Sequence, residues 1–225
     1  MKYNNVIIQF CERRLFPDRP EYLNCISALY ISGIGLYKLF LHKEISKSLE
    51  IIYWCIVTNG TMSFMFHYTG WYLFKLLDEI SMIIPLWLGL SNFLHDLKYS
   101  TKYIGLLTFL NISLLGLNVF SWFSNYFPIV FASELLLIIP LYYQVFNKTK
   151  TNIIINKYDY IKNEGGQGIL LCCISGSIWF ITELNCNIYF ILGHSIWHIG
   201  MSTGLCYILE YFDTKLLMHK YEHIL

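Results

Sequence analysis

The stretch Tyr22–Leu41 reads YLNCISALYISGIGLYKLFL and carries a single charged side chain, Lys38. A helix needs about 20 mostly apolar residues to cross the hydrocarbon core of a membrane, because all its backbone hydrogen bonds must be satisfied within the helix. Six further stretches of this kind follow along the chain: Leu49–Tyr68, Leu73–Leu94, Tyr103–Phe120, Phe127–Phe146, Gly168–Leu184 and Ile188–Phe212. The sequence therefore predicts an all-α protein, a bundle of seven transmembrane helices.

The overall composition agrees with this prediction. Of 225 residues, 56% are hydrophobic and 14% are charged, whereas a soluble domain carries about 25% charged residues. The 16 Lys and Arg residues nearly balance the 15 Asp and Glu residues, so no bulk positive field predicts a nucleic-acid partner. The predicted organisation is an amino-terminal arm (1–21), a seven-helix membrane domain (22–212) and a tail (213–225).

The basic residues beside the predicted helix ends set the expected orientation. Five of the 16 Lys and Arg residues fall on the side of the amino terminus, and eleven fall on the other side. The positive-inside rule therefore predicts a lumenal or extracellular amino terminus and a cytosolic carboxyl terminus. This describes a multi-pass protein of the endoplasmic reticulum, the Golgi, another internal membrane or the plasma membrane, and its oligomeric state is not predicted.

Among the polar residues inside the apolar spans, where such groups are expensive, five stand out by their positions. Ser63 and His67 lie four residues apart near the end of the second span, and Asp78 lies in the first turns of the third. His194 and His198 lie four residues apart near the start of the seventh span. In an up-down bundle these helix ends share one side of the membrane, so the five side chains are predicted to converge.

Three histidines at one depth are typical of a zinc site, because neutral imidazole is a good zinc ligand and three of them leave a fourth position open. Zinc makes water a nucleophile at neutral pH, Asp78 could deprotonate that water, and the Ser63 hydroxyl could donate to a developing oxyanion. The alternative is that the five residues are satisfied polar contacts between helices or anchors for lipid headgroups.

Three segments carry a family resemblance. They are SFMFH (Ser63–His67) followed by LLDE (Leu76–Glu79) and Met82, the segment GHSIWHI (Gly193–Ile199), and Cys11-Glu12 followed by Glu21-x₂-Asn24-x₂-Ser27. Together they resemble the alkaline ceramidase family, which are seven-helix membrane amidases. The wider superfamily includes adiponectin-receptor-like proteins and hydrolases that remodel GPI-anchor lipids.

The resemblance implies a function and a role for each residue. It implies that His67, His194 and His198 bind Zn²⁺, that Asp78 assists the attacking water, and that Ser63 stabilises the oxyanion. The expected reaction is hydrolysis of the linear amide bond of a ceramide-like lipid to a sphingoid base and a fatty acid. A zinc ester hydrolase or phospholipase on the same site is one alternative, and an adiponectin-receptor-like lipid-sensing receptor is another.

Alkaline ceramidases similar to this chain also bind calcium through an Asp-Trp-Cys-Glu-x-Asn stretch and a later Glu. The corresponding stretch here is QFCERR, residues 9–14, which leaves Glu12 and Glu21 as candidate Ca²⁺ ligands and Asp18 as a substitute ligand. Calcium prefers six to eight oxygen ligands, and an arginine in place of one argues against binding. The alternative is that Glu12 and Glu21 pair with Arg13, Arg14 or Arg19.

Two of the cysteines are candidates for a disulfide bond. Cys11 and Cys186 both fall on the predicted non-cytosolic side, where disulfides persist. A similar link occurs in the resembled family, so we expect a Cys11–Cys186 disulfide that pins the arm over the mouth of the site.

Overall fold

The computed structural model describes residues 10–41, 46–96, 100–120, 131, 133 and 155–222. Within these ranges the protein is all-helical, which confirms the predicted class. The helices are α1 (Cys11–Leu15), α2 (Tyr22–Leu41), α3 (Lys47–Thr69), α4 (Tyr72–Asp96), α5 (Thr101–Phe120), α6 (Ile155–Leu184) and α7 (Gly193–Glu222), with a 3₁₀ turn at Ile188–Phe190 before α7.

Local capping fixes where α3 begins and ends. The Ser46 hydroxyl accepts the Leu49 N–H at 3.1 Å and caps the first turn. Gly70 ends the helix in the left-handed conformation, with φ of 68°, and donates its N–H to the Phe66 carbonyl at 2.7 Å. Because α4 begins two residues later, the end of α3 and the start of α4 lie at the same end of the bundle.

The helices pack through close backbone contacts. α2 packs on α3 and α7, α3 on α4, α4 on α5, and α6 runs along α7. Gly60 of α3 lies so near α2 that a Cβ atom there would be 2.4 Å from the Ser32 nitrogen. Gly168 of α6 and Gly204 of α7 face each other, since a Cβ on either would be 2.6 Å from the carbonyl oxygen of the other. Small residues at these crossings are typical of membrane helix bundles.

Within the described residues, three helical segments are long and apolar enough to cross a membrane: Tyr22–Leu41, Leu49–Thr69 and Glu164–Leu184. Large apolar side chains cover much of the outer surface, including Ile26 and Phe40, which are 68% and 78% exposed. Exposed apolar side chains in this number are expensive in water and favourable in lipid. The fold therefore agrees with a membrane protein.

Some boundaries differ from the predicted spans. α7 begins at Gly193 rather than at Ile188, because the Asn187 side chain accepts the Tyr189 N–H at 2.9 Å and starts the 3₁₀ turn instead. Both α6 and α7 also continue through polar sequence, at the start of α6 and at the end of α7. The fifth predicted span, 127–146, lies outside the described residues except for positions 131 and 133.

Candidate metal centre

Three buried histidines from two helices meet at one end of the bundle. His67 lies in the last turns of α3, and His194 and His198 lie one turn apart at the start of α7. Their ring centroids are 5.0 Å (His67–His194), 5.1 Å (His67–His198) and 4.5 Å (His194–His198) apart. One potential ligand atom from each lies within 4.8 Å of the others. The three side chains could therefore hold a single metal ion.

The hydrogen bonds of the rings test whether they fit a metal. His67 uses Nδ1 to bond Glu21 Oε2 at 2.5 Å, and its buried Nε2 has no hydrogen-bond partner within the described part of the chain. His194 Nδ1 is likewise buried and unpartnered among the described residues. Buried polar atoms are nearly always hydrogen-bonded, so two unpaired ring nitrogens within this cluster of three histidines fit a metal-binding role.

His198 is oriented by a hydroxyl. Its Nδ1 lies 2.8 Å from Ser27 Oγ, and the same hydroxyl donates to the Asn24 carbonyl at 3.0 Å. The Ser27 hydroxyl can donate to the Asn24 carbonyl and accept from His198, and this arrangement puts the imidazole proton on Nδ1. The Nε2 lone pair is then available for a metal. Carboxylates and hydroxyls that orient metal-binding histidines in this way also tune their affinity.

Asp78 and Ser63 lie beside the histidines, as predicted. The Asn59 amide donates to Asp78 Oδ1 and to the Asp78 carbonyl, both at 3.1 Å, and to Ser81 Oγ at 3.0 Å. Ser63 Oγ lies 3.5 Å from His198 Nε2 and also bonds the Asp78 carboxylate. Asn59, Ser63 and His67 are spaced four residues apart along α3, so they share one face.

A large apolar cavity adjoins the cluster. Its volume is about 620 Å³. Apolar side chains from α2, α3, α4, α6 and α7 form most of its wall, including Ile31, Ile56, Met82, Ile169, Trp197 and Leu205. The polar residues Ser63, Asp78, His194 and His198 also contribute to the lining. The cavity is therefore a hydrophobic chamber that opens onto the candidate metal site.

The arm covers this site. Cys11 and Cys186 form a disulfide that links α1 to the connection between α6 and α7. Glu183 strengthens the link, since its carboxylate accepts the Cys11 N–H at 3.0 Å and pairs with Arg14 at 2.8 Å. The Phe10 ring packs over His194, with centroids 3.9 Å apart, and also lines the cavity.

Glu12 and Glu21, the two candidate calcium ligands, have other partners. The Glu12 carboxylate accepts the backbone N–H groups of Leu23 and Asn24 at 3.0 and 3.1 Å, which caps α2. Glu21 pairs with the buried Arg13 at 3.0 Å. Burial opposes ionisation of Glu21, but His67 and Arg13 outweigh it and lower the pKa of this carboxyl. Glu12 and Glu21 therefore do not fit a calcium ion, because the Glu21 carboxylate that would bind the ion is paired with Arg13.

Several residues of the site were not predicted from the sequence. Asn59 lies one helical turn before Ser63, and this spacing could have revealed it. Ser27 contributed only to the family resemblance and showed no sign of contacting a histidine. Lys75 and Glu79 form a buried ion pair of 2.6 Å in the cavity wall, and their i,i+4 spacing looks the same as that of a solvated pair.

Comparison with known families identifies the chain. A model of the Ceramidase family matches residues 3–223, which is nearly the whole length. A search of curated proteins finds no match. The chain therefore belongs to the Ceramidase family, as the resemblance of its motifs implied, and this membership supports a hydrolase of lipid amide bonds.

Proposed function

We propose that this protein is a membrane zinc amidase that hydrolyses ceramide-like lipids to a sphingoid base and a free fatty acid. The observation that carries the proposal is the cluster of His67, His194 and His198 at the wall of an apolar cavity, where two buried ring nitrogens have no hydrogen-bond partner among the described residues. Family membership supplies the lipid amide as the substrate class.

Zinc is the metal that best suits this donor set. Three neutral imidazoles with a position left open are a recurring arrangement of catalytic zinc. His67, His194 and His198 would hold the zinc, which would serve there as a Lewis acid for a carbonyl and lower the pKa of water. The carboxylate of Glu21 and the hydroxyl of Ser27 hold two of the three rings in place.

Asp78 and Ser63 perform the proton transfer and the charge stabilisation. Asp78 accepts the proton of the attacking water and later donates it to the leaving amine, so the carboxylate ends the cycle as it began. The Ser63 hydroxyl donates to the oxygen that becomes negative when the amide carbonyl is attacked. The Asn59 amide holds the Asp78 carboxylate in position throughout.

The cavity accommodates the apolar tails of the substrate. Its volume of about 620 Å³ and its apolar wall suit long hydrocarbon chains. The Lys75–Glu79 pair supplies both a donor and an acceptor in that wall, which suits the hydroxyl groups of a sphingoid base. We place the site towards the lumenal or extracellular face, following the distribution of basic residues.

The test combines metal content with product release. The experiment measures bound zinc and the fatty acid released from ceramide in three purified proteins: wild type, His198→Ala and His95→Ala. The last is the control, because His95 is an exposed histidine of α4. We expect near-stoichiometric zinc and amide cleavage in wild type and control, and loss of both in His198→Ala. Release from ester lipids alone would identify an ester hydrolase. Ligand-dependent partner recruitment without turnover would identify a receptor, and absence of zinc from all three proteins would refute the proposal.

A further inference from the structure

Arg13 is a buried arginine at the centre of the contacts between the arm and the metal centre. Its side chain is 3% exposed. Its Nε lies 3.0 Å from Glu21 Oε1, and its terminal nitrogen donates to the His67 carbonyl at 2.9 Å. The other carboxylate oxygen of Glu21 bonds His67 Nδ1. One guanidinium therefore holds both the backbone of His67 and the carboxylate that orients the His67 ring.

Arginine is well suited to this position. A buried charge is stable only when it is paired and its remaining donors are satisfied. The planar guanidinium presents several donors in a fixed fork, so it can bind a carboxylate and a carbonyl at the same time. A lysine would present a single charged point and could not hold both partners in the same fixed geometry.

We propose that Arg13 is a positioning residue that acts as a built-in cation: it holds Glu21 against His67 in the place of a divalent ion, and the site needs no calcium. The proposal deepens the proposed function, since it rests on His67 binding the catalytic metal. Glu12 supports it, because its two oxygens accept the backbone N–H groups at the start of α2, which gives this carboxylate a structural role without a metal ion.

The neighbouring Arg14 provides a matched control. Arg14 is also in α1, but it donates to the carbonyl and carboxylate of Glu183 at 2.6 and 2.8 Å and its side chain is 40% exposed. It therefore fastens the same helix to α6, at a distance from the bonds that orient His67. Replacing Arg14 loosens the arm and leaves the Glu21–His67 pair intact.

The experiment measures zinc affinity by competition with a chelator, together with the melting temperature, in full-length wild type, Arg13→Gln, Arg13→Lys and Arg14→Gln. We expect zinc affinity to fall by roughly 10- to 100-fold in Arg13→Gln, the usual effect of losing a partner that orients a metal ligand. The zinc affinity of Arg13→Lys should lie between those of Arg13→Gln and wild type, and Arg14→Gln should keep the wild-type affinity. Wild type should show the same melting temperature and zinc affinity in millimolar calcium as in a calcium-selective chelator.

Two results would overturn the proposal. One is a rise in the melting temperature or zinc affinity of the wild type on adding calcium, which remains measurable even if Arg13→Gln does not fold. The other is a zinc affinity of Arg13→Lys or Arg13→Gln equal to that of Arg14→Gln. None of these readouts uses a substrate, so a protein that passes them but does not cleave ceramide would refute the proposed function alone.

Discussion

Replacing Ser27 by alanine should weaken metal binding without disturbing the fold. Ser27 is 4% exposed, and its hydroxyl contacts His198 Nδ1 at 2.8 Å while donating to Asn24. In Ser27→Ala the hydroxyl partner of His198 Nδ1 is lost, so the imidazole proton is held less firmly on Nδ1. The ring can then place its proton on Nε2, the nitrogen that we expect to bind the metal.

The size of the effect follows from these contacts. If both ring tautomers become equally populated, the binding-competent fraction halves, which costs about 0.4 kcal/mol. Loss of the hydrogen bond that orients the ring adds about 1 kcal/mol. The sum of about 1.4 kcal/mol corresponds to roughly tenfold weaker zinc binding.

A matched serine makes the measurement specific. Ser175 of α6 is 2% exposed and donates to the carbonyl of Cys172 in its own helix at 3.2 Å. Chelator competition should show about tenfold weaker zinc binding in Ser27→Ala, and Ser175→Ala should bind like wild type. Unchanged affinity in Ser27→Ala, or an equal loss in both variants, would refute the assignment of the His198 proton.

Three other perturbations test different parts of the structure. Asn59→Leu removes the amide that holds Asp78, so kcat for ceramide should fall by roughly ten- to a hundredfold with little change in KM or zinc content; an equal fall in zinc would place Asn59 in metal binding instead. Reducing the disulfide between the arm and the α6–α7 connection should lower the free energy of unfolding by about 2–5 kcal/mol, and an unchanged melting temperature would contradict this. Gly60→Ala should destabilise the protein by about 1–3 kcal/mol, because the new Cβ would meet Ser32 of α2. Gly33→Ala on α2, where no atom of the described residues lies within 4 Å of the added Cβ, should be neutral or stabilising. A similar loss of stability in both variants would argue against the close helix contact.

The histidine cluster could be predicted from the sequence because it depends on two simple regularities. Spacing of four residues places His194 above His198 on one helix face, and alternating helix direction brings the end of α3 to the start of α7. Neither regularity depends on the detailed packing of side chains. The structure accordingly brings together the histidines, Ser63 and Asp78.

The arm could not be predicted in the same detail. Its charged residues have no hydrophobic period, so the sequence left open whether Glu12 and Glu21 bind calcium or pair with arginines. In the structure, the ion-pair partners depend on the fold: Arg13 pairs with Glu21, whereas Arg14 pairs with Glu183 on α6, which is distant in the sequence. Such choices depend on which donors the folded backbone brings near, and residue types alone do not determine this.

Helix boundaries depend on local capping as well as on hydropathy. The apolar run that begins at Ile188 continues into α7, yet Asn187 and the 3₁₀ turn delay the helix to Gly193. Gly193 also packs tightly against Thr182 of α6, where a Cβ would be 1.6 Å from the threonine hydroxyl. Hydropathy locates the apolar segment but does not detect this tight corner.

The Cys11–Cys186 bond also makes most of the protein a covalently closed ring. It joins residues separated by 175 positions, so α2 to α6 lie inside the ring and α7 lies outside it. A single backbone cut between α5 and α6 would separate His67 from His194 and His198 along the chain, but the disulfide would keep the two pieces in one molecule. Their reassociation would then be intramolecular and independent of protein concentration. A protein nicked once in this ring should therefore retain its metal ligands together and separate into two fragments only after it is denatured and reduced.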